Sequence, residues 1–149
     1  MITPHGMTKR SSMWPAFLAA LLLIIPEAGA QTERGYDAQG RYQGRSELRN
    51  DTQRHFDSEG RFQGRSSQQG NQRRDYDAQG RYQGRSETLG DTQRRYDAQG
   101  RFDGRTERQG GVQRHYDAQG RYQGRSEVQG GMLRHYDAQG RATGRSDLR

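Results

Sequence analysis

An aromatic-aspartate step recurs at Tyr36-Asp37, Phe56-Asp57, Tyr76-Asp77, Tyr96-Asp97, Tyr116-Asp117 and Tyr136-Asp137, twenty residues apart each time and without insertion. A chain held to such a period folds as a series of like supersecondary elements that complete one another, not as an ordinary two-layer globule. The unit reads R-x-[YF]-D-A-Q-G-R-[YF]-x-G-R-[ST]-E-x-x-G-x-x-Q, with exceptions such as Asp57-Ser58-Glu59-Gly60 and Ala142. Six units, near 34–53, 54–73, 74–93, 94–113, 114–133 and 134–149, fill residues 31–149 after a short lead-in. No second domain is expected.

Local chemistry makes each unit a β-hairpin. In D-A-Q-G the aspartate can bond the backbone ahead of it, and the glycine accepts a left-handed conformation. Together they specify a three-residue loop, a type I turn closed by a bulge glycine. Counting outward sets Asp117 opposite Arg121 and Tyr116 opposite Tyr122. A cross-strand pair of this kind contributes about 0.2–1 kcal/mol.

The junctions between units are Asn50-Asp51, Gly70-Asn71, Gly90-Asp91, Gly110-Gly111 and Gly130-Gly131. These residues tolerate positive φ. A two-residue type I′ turn would pair Glu127 with Arg134 and Glu87 with Arg94, and would send successive aromatic pairs to opposite faces of a flat sheet. A three-residue loop would put Gly124 opposite Tyr136 and keep every ring on one face. The second register is preferred, because it lines the rings into one apolar stripe.

The fold expected is all-β: about eleven or twelve short antiparallel strands in an elongated meander or hairpin solenoid. Composition supplies the competing reading. From residue 31 onwards there are four leucines, two valines, one methionine and no isoleucine, so eight tyrosines and three phenylalanines carry the apolar area. Such a chain leans towards an intrinsically disordered, low-complexity state. The absence of proline after residue 30 favours strands instead. There is no cysteine to staple the units.

Residues 1–30 are different in kind. Lys9 and Arg10 precede the apolar run Phe17–Ile25, and Ala28 and Ala30 then stand in A-x-A spacing. That is the pattern of a secretory signal peptide, cut after Ala30, with Met1, Met7 and Met13 as candidate starts. The run is too short to span a membrane, which takes about 20 apolar residues. The mature chain is therefore expected to be secreted or periplasmic, without a transmembrane segment after cleavage.

Y-D-A-Q-G-R at 36–41, 76–81, 96–101, 116–121 and 136–141 resembles the tyrosine–aspartate (YD) repeats of bacterial rearrangement-hot-spot proteins. The resemblance spans 34–149 and implies β-hairpin units that enclose toxins or mediate surface contact. Y-D-A-Q-G-R-A-T-G at 136–144 is also similar to the hairpins of choline- and glucan-binding cell-wall repeats. Their ligand cage needs tryptophans, and the one tryptophan here is Trp14, so choline binding does not carry over.

Candidate sites follow from the unit. Each turn aspartate reads as a cap, since calcium loops need several converging oxygen ligands. His55, His115 and His135 hold one place in their units and read as solvent-facing, with a weak zinc pair at His115 and His135 as the alternative. The serines of G-R-S lie in no nucleophile elbow, and no unit departs from the period in the way a catalytic constellation requires. No enzyme activity, cofactor or metal is expected.

The charge from residue 31 is 23 arginines against 17 acidic residues, a net +6 with both signs interspersed. This favours anionic partners weakly. Arginines most simply pair with neighbouring acids. Where they do not, the rings and the arginine after each turn suit an anionic envelope or extracellular polysaccharide, with Tyr82, Tyr122, Arg81 and Arg121 as possible contacts. Export argues against nucleic acid. The function expected is a structural or contact role at the bacterial envelope. A secreted disordered arginine-rich protein and a short relative of a toxin-delivery YD-repeat protein are the alternatives. Unpaired outer strands would offer sheet edges for self-association.

Overall fold

The structure, a computed structural model, describes residues 31–148; the signal-peptide reading of 1–30 lies outside them. Twelve strands follow one another: β1 (Gln31–Asp37), β2 (Tyr42–Arg49), β3 (Thr52–Asp57), β4 (Phe62–Gln69), β5 (Gln72–Asp77), β6 (Tyr82–Leu89), β7 (Thr92–Asp97), β8 (Phe102–Gln109), β9 (Val112–Asp117), β10 (Tyr122–Gln129), β11 (Met132–Asp137) and β12 (Ala142–Leu148). All pairs are antiparallel and each strand neighbours the next. The sheet then closes, with β1 paired to β12 through Glu33↔Leu148 to Asp37↔Gly144.

The D-A-Q-G loops form as their residues dictate. The Gly120 amide donates to the Asp117 carbonyl at 3.0 Å, the Asp117 amide donates to the Arg121 carbonyl at 3.0 Å, and Gly120 has φ 80°. Tyr116 faces Tyr122. The Asp117 carboxylate caps the loop, accepting from the amides of Gln119 and Arg121 at 3.0 and 2.9 Å, from Arg121 Nε at 2.7 Å and from Gln123 Nε2 at 3.0 Å. The turn aspartates are thus caps. Replacing Asp117 by alanine is expected to lower the thermal midpoint by a few degrees. Asp117→Asn, which keeps one acceptor oxygen, should cost less. Melting both variants by circular dichroism checks this, and two unchanged midpoints would remove the capping argument.

The junctions overturn the preferred register. They are two-residue turns: Gln129 pairs with Met132, Glu127 with Arg134, and Arg125, not Gly124, stands opposite Tyr136. Both central residues have positive φ only at Gly130-Gly131, at 57° and 77°; in the other four junctions only the first does, as at Asn50 with 54°. A two-residue turn would have scattered the rings over two faces of a flat sheet. A bulge in every hairpin prevents it. Between Tyr122 and Gly124 the register shifts by one residue, so Tyr122 and Arg125 share a face although three apart. A bulge also bends its strand and increases twist.

Closure replaces the elongated meander for a geometric reason. Gly124 lies opposite His115 across one hairpin and opposite Asp137 across the next. The step from 115 to 137 exceeds the twenty-residue period by two, so each unit staggers the ladder by two residues and six units by twelve. Stagger and strand number are then equal, the ratio that tilts strands by about 36° in an eight-stranded barrel and lies within the range for closed sheets. The β1–β12 pair joins Glu33 to Asp37 with Gly144 to Leu148. The free edges expected to template self-association are therefore absent from the sheet.

Neither face of the barrel is an oily core. Among the described residues Leu133 is the one buried apolar side chain. The disordered reading assumed that such a chain had nothing else to bury, but the barrel buries hydroxyls, glycines and paired polar groups instead. The outward face carries arginines and glutamates such as Arg45 with Glu47 at 2.7 Å and Arg105 with Glu107 at 2.7 Å. That is unlike the apolar band of a lipid-facing barrel.

Candidate functional site

Two rings of side chains encircle the barrel, one outside near the D-A-Q-G end and one inside. The outer ring begins with the hairpin pairs. Tyr36–Tyr42, Phe56–Phe62, Tyr76–Tyr82, Tyr96–Phe102 and Tyr116–Tyr122 meet edge to face at 5.9–6.0 Å. Such pairs contribute about 0.5–1.5 kcal/mol beyond area burial. Arginines join one hairpin to the next. Arg45 lies over Phe56 at 4.5 Å, Arg105 over Tyr116 at 4.4 Å, and Arg145 over Tyr36 at 4.8 Å, which carries the ring across the β12–β1 seam. An exposed cation–π contact adds about 0.5–1 kcal/mol. Ala142 interrupts the ring beside Tyr136.

All four residues singled out in the sequence stand on this outer end. Tyr82 and Tyr122 are 36% and 37% exposed. The Arg81 and Arg121 side chains are 74% and 73% exposed. Each arginine uses Nε on its turn aspartate, Asp77 at 2.6 Å and Asp117 at 2.7 Å, and turns the rest of its fork to solvent apart from a long bond to Gln79 or Gln119. The simple acid–arginine pairing is therefore real, and it leaves donors spare. At Asp57 the hydrogen bond from the Arg61 guanidinium is the largest influence and holds the carboxyl below the usual carboxylate range. Arg81 and Tyr82 lie on the hairpin of β5 and β6, and Arg121 and Tyr122 on that of β9 and β10. They are thus equivalent copies of one surface, two units apart, and not parts of a single pocket.

The inner ring was not anticipated. His55, His115 and His135 are not solvent-facing; they point inward, partly buried, between serine or threonine hydroxyls. Ser46 Oγ meets His55 Nδ1 at 2.9 Å, and His55 Nε2 meets Ser66 Oγ at 2.9 Å. Ser66 Oγ donates to Asp75 Oδ1 at 2.6 Å, and Arg73 binds Asp75 at 3.0 Å and Ser66 at 2.7 Å. On the far wall Thr106, His115, Ser126, His135 and Ser146 follow one another at 3.1, 2.9, 2.9 and 3.4 Å. Ser126 and Ser146 are among the most buried side chains.

Burial dominates the titration of these groups. It pushes His55 down to about 4, helped by the Arg73 charge and opposed by Asp75. It pushes His115 down to about 4, with Arg95 and His135 adding to the shift. His135 is lowered by the same desolvation. Glu33 moves the other way: burial raises it, against a hydrogen bond to Ser146 and the Arg73 charge.

Among the described residues no cluster of three histidine, cysteine or acidic side chains could hold a metal ion. The His115–His135 pair, weighed in the sequence as a weak zinc site, is separated by the Ser126 hydroxyl that both rings contact. The inner ring did have a sequence signal. Histidine follows the G-R-S serine by nine positions in Ser46–His55 and Ser126–His135, and a two-residue junction turn sets those residues opposite each other.

No protein-family model matches the chain, and no curated protein sequence matches it.

Proposed function

We propose that this chain is an exported, non-enzymatic repeat barrel that contacts an anionic envelope or extracellular polysaccharide through its outer aromatic–arginine ring. One observation carries the reading: five hairpins repeat an exposed ring beside the exposed arginine that follows the turn, and at Tyr82 with Arg81 and Tyr122 with Arg121 most of the outer guanidinium donors are spare. Rings stack on sugar faces, and planar guanidinium forks match carboxylate or phosphate groups along a polymer. Copies two strands apart repeat at about 10 Å around the wall, so a chain-like ligand would engage several at once and gain by avidity. Weak single contacts then suffice.

The test is retention of the protein on purified peptidoglycan, on an acidic polysaccharide and on nucleic acid, across a salt series. Retention on the acidic polysaccharide at low salt is expected, lost as salt rises. Arg81→Gln with Arg121→Gln should weaken it severalfold while leaving the circular dichroism spectrum unchanged. No retention on any polymer would leave only a structural role. Tighter retention on nucleic acid would reverse the partner.

A further inference from the structure

The fourth unit departs from the period at three places that fall close together. Arg95 occupies the inward position that holds His55, Asp75, His115 or His135 in other units. Thr106 replaces the usual serine, and Asp103 replaces the usual glutamine. Arg95 differs from the inward pair on β5. Arg73 and Asp75 neutralise each other at 3.0 Å. Among the described residues Arg95 makes one hydrogen bond, from Nη1 to Thr106 Oγ1 at 3.3 Å, and no ion pair. Asp103 acts on it electrostatically but lies outside ion-pair range. A desolvated guanidinium with most of its donors unused is costly unless something compensates it.

The surroundings suit a compensating anion. A hypothetical Cβ on Gly104 would come within 3.0 Å of Arg95 Nη2, so the glycine gives the guanidinium its place against the wall. Thr106 links Arg95 to His115. Gln113, two residues before His115 on β9, has a buried Oε1 with no hydrogen-bond partner. That oxygen asks for a donor. Strand number favours a wide interior: barrel diameter grows with it, so twelve strands enclose about half again the width of an eight-stranded barrel, whose interior side chains just fill it. The even-numbered strands each contribute a glycine and a serine or threonine to it, as Gly124 and Ser126 do.

We propose that the barrel interior binds a phosphate-class oxyanion, gripped by the Arg95 guanidinium beside Thr106 and His115, with its protonated oxygen offered to Gln113. This site is independent of the outer ring. An oxyanion supplies acceptors for the unused fork, and the hydrogen phosphate form alone also supplies a donor.

Inorganic phosphate is the probe, titrated into the protein while the histidine ring signals are followed by nuclear magnetic resonance. The expected result is a saturable shift of the His115 signals, larger than that of His55, with sulfate binding more weakly because it has no proton to give. Arg95→Gln should abolish the shift, and Arg54→Gln, at an exposed position of β3, should not. If Arg95→Gln fails to fold, Arg95→Lys keeps the charge without the fork and should weaken binding roughly tenfold, the loss of one charge-assisted hydrogen bond. No saturable shift at His115, or equal phosphate binding by Arg95→Gln or Arg95→Lys and the parent, overturns the site. Equal affinity for sulfate overturns its assignment to the phosphate class.

Discussion

Gly124→Ala is expected to destabilise the barrel by about 3 kcal/mol or more, a large share of a small domain's stability. The loss has two independent causes. Gly124 has φ 139°, a region that side-chain-bearing residues rarely enter. An added Cβ would also collide with the Tyr136 carbonyl oxygen and stand only 3.0 and 3.1 Å from the Asp137 backbone. Those are backbone atoms of the next hairpin, so no side chain can swing away. Relief would require opening the β10–β11 ladder at Gly124, next to the β9–β10 bulge that keeps Tyr122 and Arg125 on one face. Gly70→Ala is the control. Gly70 sits in a junction turn at φ 59° with nothing within 4 Å of the added carbon, and should cost about 1–2 kcal/mol. Urea unfolding of both variants measures the difference. A Gly124→Ala protein as stable as Gly70→Ala would mean that the bulge does not set the curvature.

Acidification from pH 7 to 4 should remove several kcal/mol of stability while the turn aspartates remain ionised. His55 and His115 have folded values of about 4 against an ordinary 6.5. The unfolded chain therefore takes up protons first as pH falls, and the folded state cannot follow until about pH 4. Stability is full above about 6.5 and lost through that window, at roughly 2–3 kcal/mol per ring after allowance for partial exposure. His135 adds a loss of the same sign. Glu33, whose value is raised by burial, offsets part of it, because the folded state holds its proton to higher pH than the unfolded chain does. The turn carboxyls Asp57, Asp97 and Asp137 are lowered, so their contribution disappears only below the ordinary carboxylate range. Thermal midpoints from pH 7.5 to 3.5 test this. His115→Gln should flatten the fall between 6.5 and 4, and an unchanged slope would place the histidines outside the linkage.

The residues that act within one hairpin could be read from the sequence. Asp117, Gly120, Tyr116 and Tyr122 find one another over a few positions, and their turn chemistry has one good solution. The junction was harder, because Gly130-Gly131 tolerates both candidate loops. A three-residue loop is the simpler way to keep the rings on one face, while the chain achieves the same result with a bulge between Tyr122 and Gly124. Gly124 also passes close to the Tyr136 carbonyl of the next unit, a contact that no local pattern reveals. Closure was hidden for the same reason. It arises from a two-residue stagger summed over six units, and a single hairpin shows none of it. The inward place of the histidines was hidden with it: His115 lies on the face opposite Tyr116 in either register, and only closure makes that face the interior. Arg81 and Tyr82 sit at the loop end, where the hairpin alone fixes their place.

The seam between β12 and β1 repeats the geometry of every internal junction, with Arg145 opposite Tyr36 as Arg125 is opposite Tyr136. Each twenty-residue block therefore brings its own share of both circumference and slant. Gain or loss of a whole block by unequal recombination would leave the two ends still in phase, giving a wider or narrower ring with no change of sequence elsewhere. A deletion of any other length would leave the ends out of step and the wall unable to meet itself.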